Sequence, residues 1–311
     1  MRNSESQGTH KFDRTGKLIA TFKLLRDRLV LLKPSWLPTL LLVPLLYLLG
    51  WIICAPLVWL GLPSSQQSLV GTLISVLLLV LLLPAWCRLR WNSRECWRSL
   101  GISGGGHNNR RRVSSALLRG LLLALILLAV MTASLLMGSW AYWLGEWSLS
   151  RSLNALALLL GVGLPEELIF RAWLWRELDQ MIGPASAVAG QALIFSLVHA
   201  RFNFGFWPMV GLLIGLLLLG LCLAVQRRLD GGSLWGCVGL HGGLVAGWFL
   251  LQNGLLQLSP DAPSWLIGPG DNNANPLGGA VGLTGLLVLL MFQLTAVARA
   301  LRPVNGARRA S

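Results

Sequence analysis

Long apolar runs constrain this chain more than any other feature of its sequence. Several of them exceed the ~18 residues at which an apolar run is long enough to cross a lipid bilayer as a helix. Charged residues make up 12% of the 311 positions, which is about half their share in an average soluble domain. The sequence therefore predicts an all-α fold, a polytopic helical membrane bundle of about eight transmembrane helices. The predicted spans are residues 36–62, 69–87, 113–138, 152–178, 184–200, 206–226, 235–256 and 277–298.

Basic residues distinguish the two sides of this predicted bundle. The segment before the first span and the loop after the second are rich in Lys and Arg, whereas residues 63–68 carry no charge and residues 257–276 carry only Asp261 and Asp271. Because short cytoplasmic loops retain Lys and Arg, we expect both termini to be cytoplasmic. The expected location is a bacterial cell membrane. The net charge of +14 then reflects topology, and nucleic acid is not an expected partner because no base-stacking aromatic residues alternate with the basic ones.

A polar, glycine-rich stretch at residues 103–109 predicts a flexible linker between the first two spans and the rest of the chain. We expect this linker to act as a hinge that carries no chemistry. The predicted organisation is a cytoplasmic basic segment (1–33), a two-span helical hairpin (34–102), a Gly-rich basic linker (103–112), a membrane domain (113–302) with its motif core at 152–256, and a basic tail (303–311).

Five cysteines are scattered along the chain. They form no CxxC pair and no regular spacing, so neither a disulfide-stapled fold nor a zinc ribbon is expected. The sequence predicts that they are small apolar side chains in the interior. They are Cys54, Cys87, Cys96, Cys222 and Cys237.

Five ionisable side chains lie deep within the apolar runs, where a charge costs at least ~2.5 to 3.5 kcal/mol and marks a functional candidate. They are Glu166, Glu167 and Arg171 in the fourth span, His199 at the end of the fifth and His241 in the seventh. Glu167 and Arg171 have the i, i+4 spacing at which a carboxylate and a guanidinium meet across one helical turn. Glu166 lies about 100° around the helix from Glu167, so the two predict one structural and one reactive carboxylate.

Pro165 directly precedes the two glutamates and suits the first turn of a helix or a kink. A kink would open backbone groups and admit water beside the carboxylates, so a wet pocket inside the lipid is expected. The alternative interpretation is structural, with a buried ion pair of Glu167 and Arg171 and with histidines that bond carbonyls between helices. Two carboxylates, an arginine and two histidines on three spans together favour the functional interpretation.

Three motifs follow one another on separate spans: EExxFR at residues 166–171, FxxxH at residues 195–199 and a further histidine at His241. Over residues 152–256 these motifs resemble the CPBP family of intramembrane proteases, the CAAX prenyl endopeptidase and bacteriocin-processing group also called Abi proteins. Two positions depart from the pattern of that family. Ala172 stands where Gly is usual, and Val245 stands where the third motif often has Asn.

The resemblance implies a role for each candidate residue. Glu166 is the base that activates a water, His199 and His241 hold that water or bind the developing oxyanion, and Glu167 and Arg171 position the site. Two histidines and a carboxylate are also ligand types of catalytic zinc. The sequence has no HExxH motif, and a divalent metal such as zinc and a metal-free mechanism are equally compatible with it.

The resulting hypothesis is a membrane-embedded endopeptidase of the CPBP or CAAX-protease type, which hydrolyses a peptide bond by a glutamate-activated water with histidine assistance. Its expected partners are a peptide or membrane-protein substrate and the lipid bilayer. The alternative is a non-proteolytic membrane scaffold or chaperone that binds a partner helix in the same pocket, which Val245 favours. A secondary transporter has less support, since corresponding broken helices in two halves are not evident.

Overall fold

The computed structural model describes residues 34–103, 109–270 and 274–300, except the side chains of residues 109–111. Helices make up most of this part, which confirms the predicted all-α membrane bundle. The predicted N-terminal segment 1–33, residues 104–108 of the linker and the tail 303–311 lie outside the described residues. The domain boundaries drawn from the sequence therefore stay predictions.

The helices follow one another with short connections. Two π-helices, Leu168–Leu174 and Leu251–Leu255, continue the α-helices Gly163–Glu167 and Trp235–Leu250 without a break, and 3-10 turns lie at Phe202–Phe204 and Pro276–Gly278. The α-helices are α1 (Trp36–Trp59), α2 (Ser64–Trp91), α3 (Cys96–Ser99), α4 (Asn109–Met137), α5 (Leu149–Gly161), α6 (Gly163–Glu167), α7 (Trp175–Ile182), α8 (Pro184–Val198), α9 (Phe206–Leu229), α10 (Trp235–Leu250), α11 (Ser264–Ile267) and α12 (Ala280–Ala300).

Within the described residues, six helical segments are long and apolar enough to cross a membrane, and they correspond to six of the eight predicted spans. The predicted fifth span is α8, an apolar helix of only 15 residues, and the seventh is α10 with the π-helix that follows it. The chain is thus an integral multi-pass membrane protein, and the count of eight crossings stays a prediction. The six segments are Trp36–Trp59, Ser64–Trp91, Arg112–Met137, Leu149–Ile182, Phe206–Leu229 and Ala280–Ala300.

A small antiparallel sheet joins two predicted loops. Strand β1 (Ala141–Trp143) pairs with β2 (Leu256–Leu258), and Tyr142 lies opposite Gln257. Strands of three residues carry no readable alternation, so the sequence did not predict them. We call the end of α4, α5 and α10 beside this sheet the sheet end. The opposite end, the arginine end, carries Arg112, Arg119, Arg176, Arg227, Arg228 and Arg299.

The chain forms two compact units, which divide between Ser99 and Leu100. In the first unit α1 and α2 pack as a helical hairpin, and buried residues recur at every third or fourth position of α1 and at every fourth position of α2. Such ridges interdigitate when two helices pack. Gly50 allows the two backbones to approach, because a Cβ atom there would overlap Ser75 Oγ and the Gly71 carbonyl.

In the second unit α10 packs between α4 and the α5–α6 segment. Glycines make this close packing feasible on both faces. A Cβ atom on Gly239 would overlap the α4 backbone at Leu117 and Leu121, and a Cβ atom on Gly242 would lie against the α5 backbone at Leu159. Helix α9 packs against α8, α10 and α12. Helix α10 also contacts α6, and α8 contacts the π-helix that continues α6. The three motif-bearing helices α6, α8 and α10 therefore meet inside this unit.

The cysteines behave in two ways. Cys54, Cys222 and Cys237 are buried free thiols, as the sequence predicts. Cys87 and Cys96 are instead joined in a disulfide, so the prediction of an unpaired side chain is wrong for these two. Asn92 ends α2 in the left-handed conformation at φ 50, and the resulting turn brings position 96 back beside position 87, a spacing that matches no recognised motif.

Candidate active site

The helix that carries both glutamates is interrupted just before them. Pro165 has no backbone N–H and cannot continue the hydrogen-bond ladder of α5, and the two helices separate at Val162, with φ −105 and ψ −53. The Glu166 N–H donates to the Val162 carbonyl at 3.1 Å, which places Glu166 in the first turn of α6. Pro165 therefore lies where its sequence context predicts, in the opening turn of a new helix.

A π-helix, Leu168–Leu174, follows the glutamates directly and carries Arg171. Single turns of this rare type occur mostly inside α-helices and often at functional sites. Arg171 Nη1 lies 3.1 Å from Glu167 Oε1, and both side chains are fully buried. The contact expected from the i, i+4 spacing is therefore present, and neither charge reaches solvent.

Phe195 is the aromatic centre of the site and is fully buried. The guanidinium of Arg171 lies 4.0 Å above its ring, a cation–π contact. The rings of His199 and His241 lie 4.8 and 5.7 Å from it, measured between centroids. The sequence presents Phe195 only as a motif position, and the structure gives it a physical role, since its ring contacts the guanidinium and both imidazoles.

The Glu166 carboxylate has a different environment from that of Glu167. Its Oε2 lies 3.5 Å from His199 Nε2 and 3.8 Å from His241 Nε2. This oxygen is buried and has no hydrogen-bond partner among the described residues. The Glu166 side chain nevertheless keeps 27% of its exposure, whereas that of Glu167 keeps none. The structure thus brings Glu166, His199 and His241 together. It leaves the Glu166 side chain partly exposed and buries the neighbouring Glu167 side chain completely.

Both histidines use Nδ1 for a hydrogen bond. His241 Nδ1 donates to Glu167 Oε1 at 2.8 Å, and His199 Nδ1 donates to the Phe195 carbonyl at 2.7 Å. Because these oxygens accept only from a protonated nitrogen, Nδ1 carries a proton in both rings. The Nε2 atom near Glu166 is then an acceptor in a neutral imidazole and a donor in a protonated one.

These three groups line a cavity of about 540 Å³, a volume in the range of small-ligand sites. Much of its wall is apolar and includes Leu158, Leu216 and Trp248. Val245, one helical turn after His241, is also part of this wall. The remaining polar side chains that line the cavity are Gln252, Asn253 and Asn275.

The donor set resembles that of catalytic zinc, which binds imidazole nitrogens and carboxylate oxygens. Across residues 34–103, 109–270 and 274–300, however, no group of three or more His, Cys, Asp and Glu side chains is arranged to hold a metal ion. The distances of 3.5 and 3.8 Å from Glu166 Oε2 to the two Nε2 atoms exceed those of good direct hydrogen bonds. Glu166 is therefore held close to both imidazoles without a short direct hydrogen bond to either ring.

Arg227 is predicted from sequence only as a topology signal, and the structure adds contacts close to the site. Its guanidinium donates to the backbone carbonyls of Arg171, Leu100 and Gly232. It also lies over the Trp175 ring, 5.3 Å from the ring centroid. These contacts tie the π-helix to the arginine end. No sequence signal could have found them, because they join positions far apart in the chain.

Comparison with known families gives two matches, one in each unit. Residues 16–95 match a domain of unknown function, DUF8676, and residues 147–247 match the type II CAAX prenyl endopeptidase, Rce1-like, family. No curated protein and no solved structure gives a significant match to the chain. The second range contains Glu166, His199 and His241, and its family is one of proteases, which are hydrolases. Residues 147–247 of this membrane protein therefore form a domain of the CPBP intramembrane protease family, of the Rce1-like type.

Proposed function

We propose that this protein is an intramembrane endopeptidase that hydrolyses a peptide bond with a water activated by Glu166. The observation that carries the proposal is the position of Glu166 Oε2, which lies 3.5 and 3.8 Å from the Nε2 atoms of His199 and His241. A general base needs a carboxylate that can reach a water beside the substrate. A buried oxygen without a hydrogen-bond partner, in a residue that lines a cavity, meets that need.

In the proposed reaction, a water in the cavity beside these groups donates one hydrogen bond to Glu166 and one to the Nε2 atom of a neutral imidazole. Glu166 takes a proton from the water as the water oxygen bonds to the substrate carbonyl carbon. The other imidazole is protonated and donates its Nε2–H to the oxyanion that forms. The C–N bond then breaks, and Glu166 returns its proton to the leaving amine.

The charges at the site support one protonated imidazole. Glu166 and Glu167 are two negative charges and Arg171 is one positive charge, in a setting where a buried charge without a counter-charge costs several kcal/mol. A single imidazolium would balance them. In this proposal Glu167 and Arg171 act as positioning residues, since Glu167 holds the His241 ring through Nδ1 and Arg171 holds Glu167.

The proposed partners are a peptide or membrane-protein substrate and the lipid bilayer. Cleavage of membrane-inserted and lipidated peptides by the purified protein tests the proposal. Glu166→Gln keeps the size of the side chain and removes the base, so kcat/KM should fall by about 10²- to 10⁴-fold. Glu95→Gln makes the same change at an exposed glutamate of the first unit and should leave cleavage as it is. Equal cleavage by wild type and Glu166→Gln would exclude the mechanism.

A non-proteolytic scaffold or chaperone is the second candidate, and Val245 is the observation that favours it. An isopropyl group lines the cavity at this position and cannot donate to an oxyanion as an amide could. If the cavity serves to bind a partner helix, Glu166→Gln restores a deletion strain as well as wild type does. A peptidase requires the carboxylate, so the same variant then fails to restore the strain.

A further inference from the structure

The cavity extends from Glu166 toward the sheet end. Leu158 on α5 and Val162 at the α5–α6 break line one wall of the cavity, and both precede Glu166 in the chain. Residues of α10 that follow His241 line the facing wall. The two helical segments are antiparallel, because Gly242 lies against Leu159 while the Glu146 N–H donates to the Gly254 carbonyl at 2.8 Å. Both walls therefore run from the catalytic groups to the sheet.

The arginine end of the site is closed by buried groups. Glu167 and Arg171 are fully buried, and Trp173 is 2% exposed. Arg227 fills the space beyond them and donates to the carbonyls of Arg171 and Leu100. Among the described residues that line the cavity, none belongs to α7 or to the last turn of α9. The arginine end therefore offers no route to Glu166, and the residues that line the cavity extend from Glu166 toward the sheet end.

Side-chain amides form a polar rim where the cavity approaches the sheet. We call Gln252, Asn253 and Asn275 the amide rim, since all three line the cavity. Gln252 Nε2 donates to the Ala274 carbonyl at 2.8 Å, and Asn253, which is exposed, donates from Nδ2 to the Phe249 carbonyl at 2.8 Å. These bonds fix the amide planes, and amide oxygens can accept hydrogen bonds from the N–H groups of a peptide.

The length of the cavity limits what fits. Asn253 follows His241 by 12 positions, which corresponds to roughly 18 Å along a helix. An extended peptide advances about 3.3 Å per residue, so about five residues separate the amide rim from the catalytic groups. The wall between them is mostly apolar, and Leu244 and Trp248 contribute to it. The segment that occupies this space is therefore apolar, with polar residues where it leaves the rim.

The charge of the two ends assigns them to the two sides of the membrane. Among described side chains of the second unit, the sheet end and its neighbouring loops carry Arg151 and Arg201, whereas the arginine end carries six arginines. Short loops rich in Lys and Arg stay in the cytoplasm. The sheet end, with the amide rim, is then on the non-cytoplasmic side.

We propose that the site takes its substrate from the non-cytoplasmic side of the membrane, as an extended apolar segment of about five residues that passes the amide rim. The substrate part of this inference rests on the proposed function. The direction of access does not, because it follows from the cavity and the charges alone.

Cysteine labelling with a membrane-impermeant maleimide tests the direction. Asn253→Cys reports the rim, Ser264→Cys the exposed sheet end and Ser115→Cys the exposed arginine end. The background carries Ser at positions 87 and 96, and the three other native thiols are buried. In intact cells we expect labelling of the rim and sheet-end variants and none of Ser115→Cys, which labels only after permeabilisation.

Two outcomes would overturn the proposal: labelling of Asn253→Cys only after permeabilisation, and its failure to label under either condition. The same labelling pattern in a Glu166→Gln background separates access from catalysis, because binding of the probe needs no base. In that background a synthetic peptide with five apolar residues and a polar flank should slow the labelling of Asn253→Cys. A peptide in which charged residues replace the apolar ones should not, and equal protection by both would contradict the substrate class.

Discussion

The two units of this chain use the membrane in different ways. In the first unit, α1 and α2 bury stripes of Leu, Gly, Ser and Cys and contain no acidic side chain. In the second, Glu166, Glu167 and Arg171 lie inside one span and contact histidines from two other segments. The lipid tolerates these charges because each meets a counter-charge or a cavity. The difference shows that the length of its apolar helices is enough to explain how the first unit sits in a membrane. The second unit also requires polar contacts that compensate its buried charges.

Breaking the ion pair of the second unit should have the largest effect. Arg171→Met leaves the Glu167 charge fully buried without its partner, and removal of one member of a buried ion pair costs about 3 to 5 kcal/mol. We expect a lower unfolding temperature in detergent and loss of cleavage. Adding Glu167→Gln removes both charges and should regain stability without regaining cleavage, because an amide holds His241 less firmly than a carboxylate does. An unfolding temperature equal to that of wild type for Arg171→Met would contradict this role.

A change in the cavity wall should have a smaller effect, in the opposite direction. Val245→Asn adds an amide donor one turn from His241, and an additional oxyanion contact should raise kcat by about tenfold. Val245→Leu is the matched control, since it changes the volume without adding a donor. Steady-state kinetics that separate kcat from KM provide the measurement. A similar kcat for both variants would show that the amide has no catalytic effect here.

A packing change in the first unit should affect stability and leave cleavage almost unchanged. Gly50→Val places side-chain atoms against Ser75 and the Gly71 backbone, and such overpacking costs about 1 to 3 kcal/mol. Thermal unfolding measures the first effect and peptide cleavage the second. If Gly50→Val reduced kcat/KM as strongly as Glu166→Gln does, the separation of chemistry from the hairpin would be wrong.

The smallest effect is expected at the cysteine pair of the first unit. Cys87 and Cys96 lie among Arg88, Arg90, Arg94 and Arg98, in a segment that the charge pattern predicts to be cytoplasmic. Cytoplasmic thiols are kept reduced, so the disulfide of the structure should be open in living cells, and acid trapping followed by alkylation should find both cysteines as thiols. Replacement of both by Ser should leave cleavage unaltered. A disulfide in living cells would instead place this segment in an oxidising compartment and reverse the assigned orientation.

Hydropathy predicts most of the fold because lipid fixes the length of a spanning helix. The expected spans 113–138 and 206–226 became Asn109–Met137 and Phe206–Leu229, each within a few residues. The π-helix after Glu167 was not predictable, since one extra residue in a turn leaves the apolar pattern intact. The β1–β2 pairing joins segments more than a hundred residues apart, and its short strands have no local signal.

The site was predictable in its residue types and less so in its geometry. The spacing of Glu167 and Arg171 predicts their contact, because it depends on one helical turn. The sequence does not predict that His199 lies beside His241. Their proximity depends on where α8 ends and on how closely Gly163 approaches Gly242. The amide rim and the contacts of Arg227 depend on tertiary packing, so the sequence offered no pattern for either.

The shortness of α8 has a consequence for the surrounding lipid. Its 15 residues rise roughly 22 Å, whereas the hydrocarbon layer is about 30 Å thick. His199 caps this helix, and the exposed Phe202 follows it. If α8 crosses the bilayer, as the sequence predicts, acyl chains beside it must shorten or splay to match it. The scissile bond would then lie beside a locally thinned bilayer, where a substrate helix gives up fewer contacts with lipid as it unwinds.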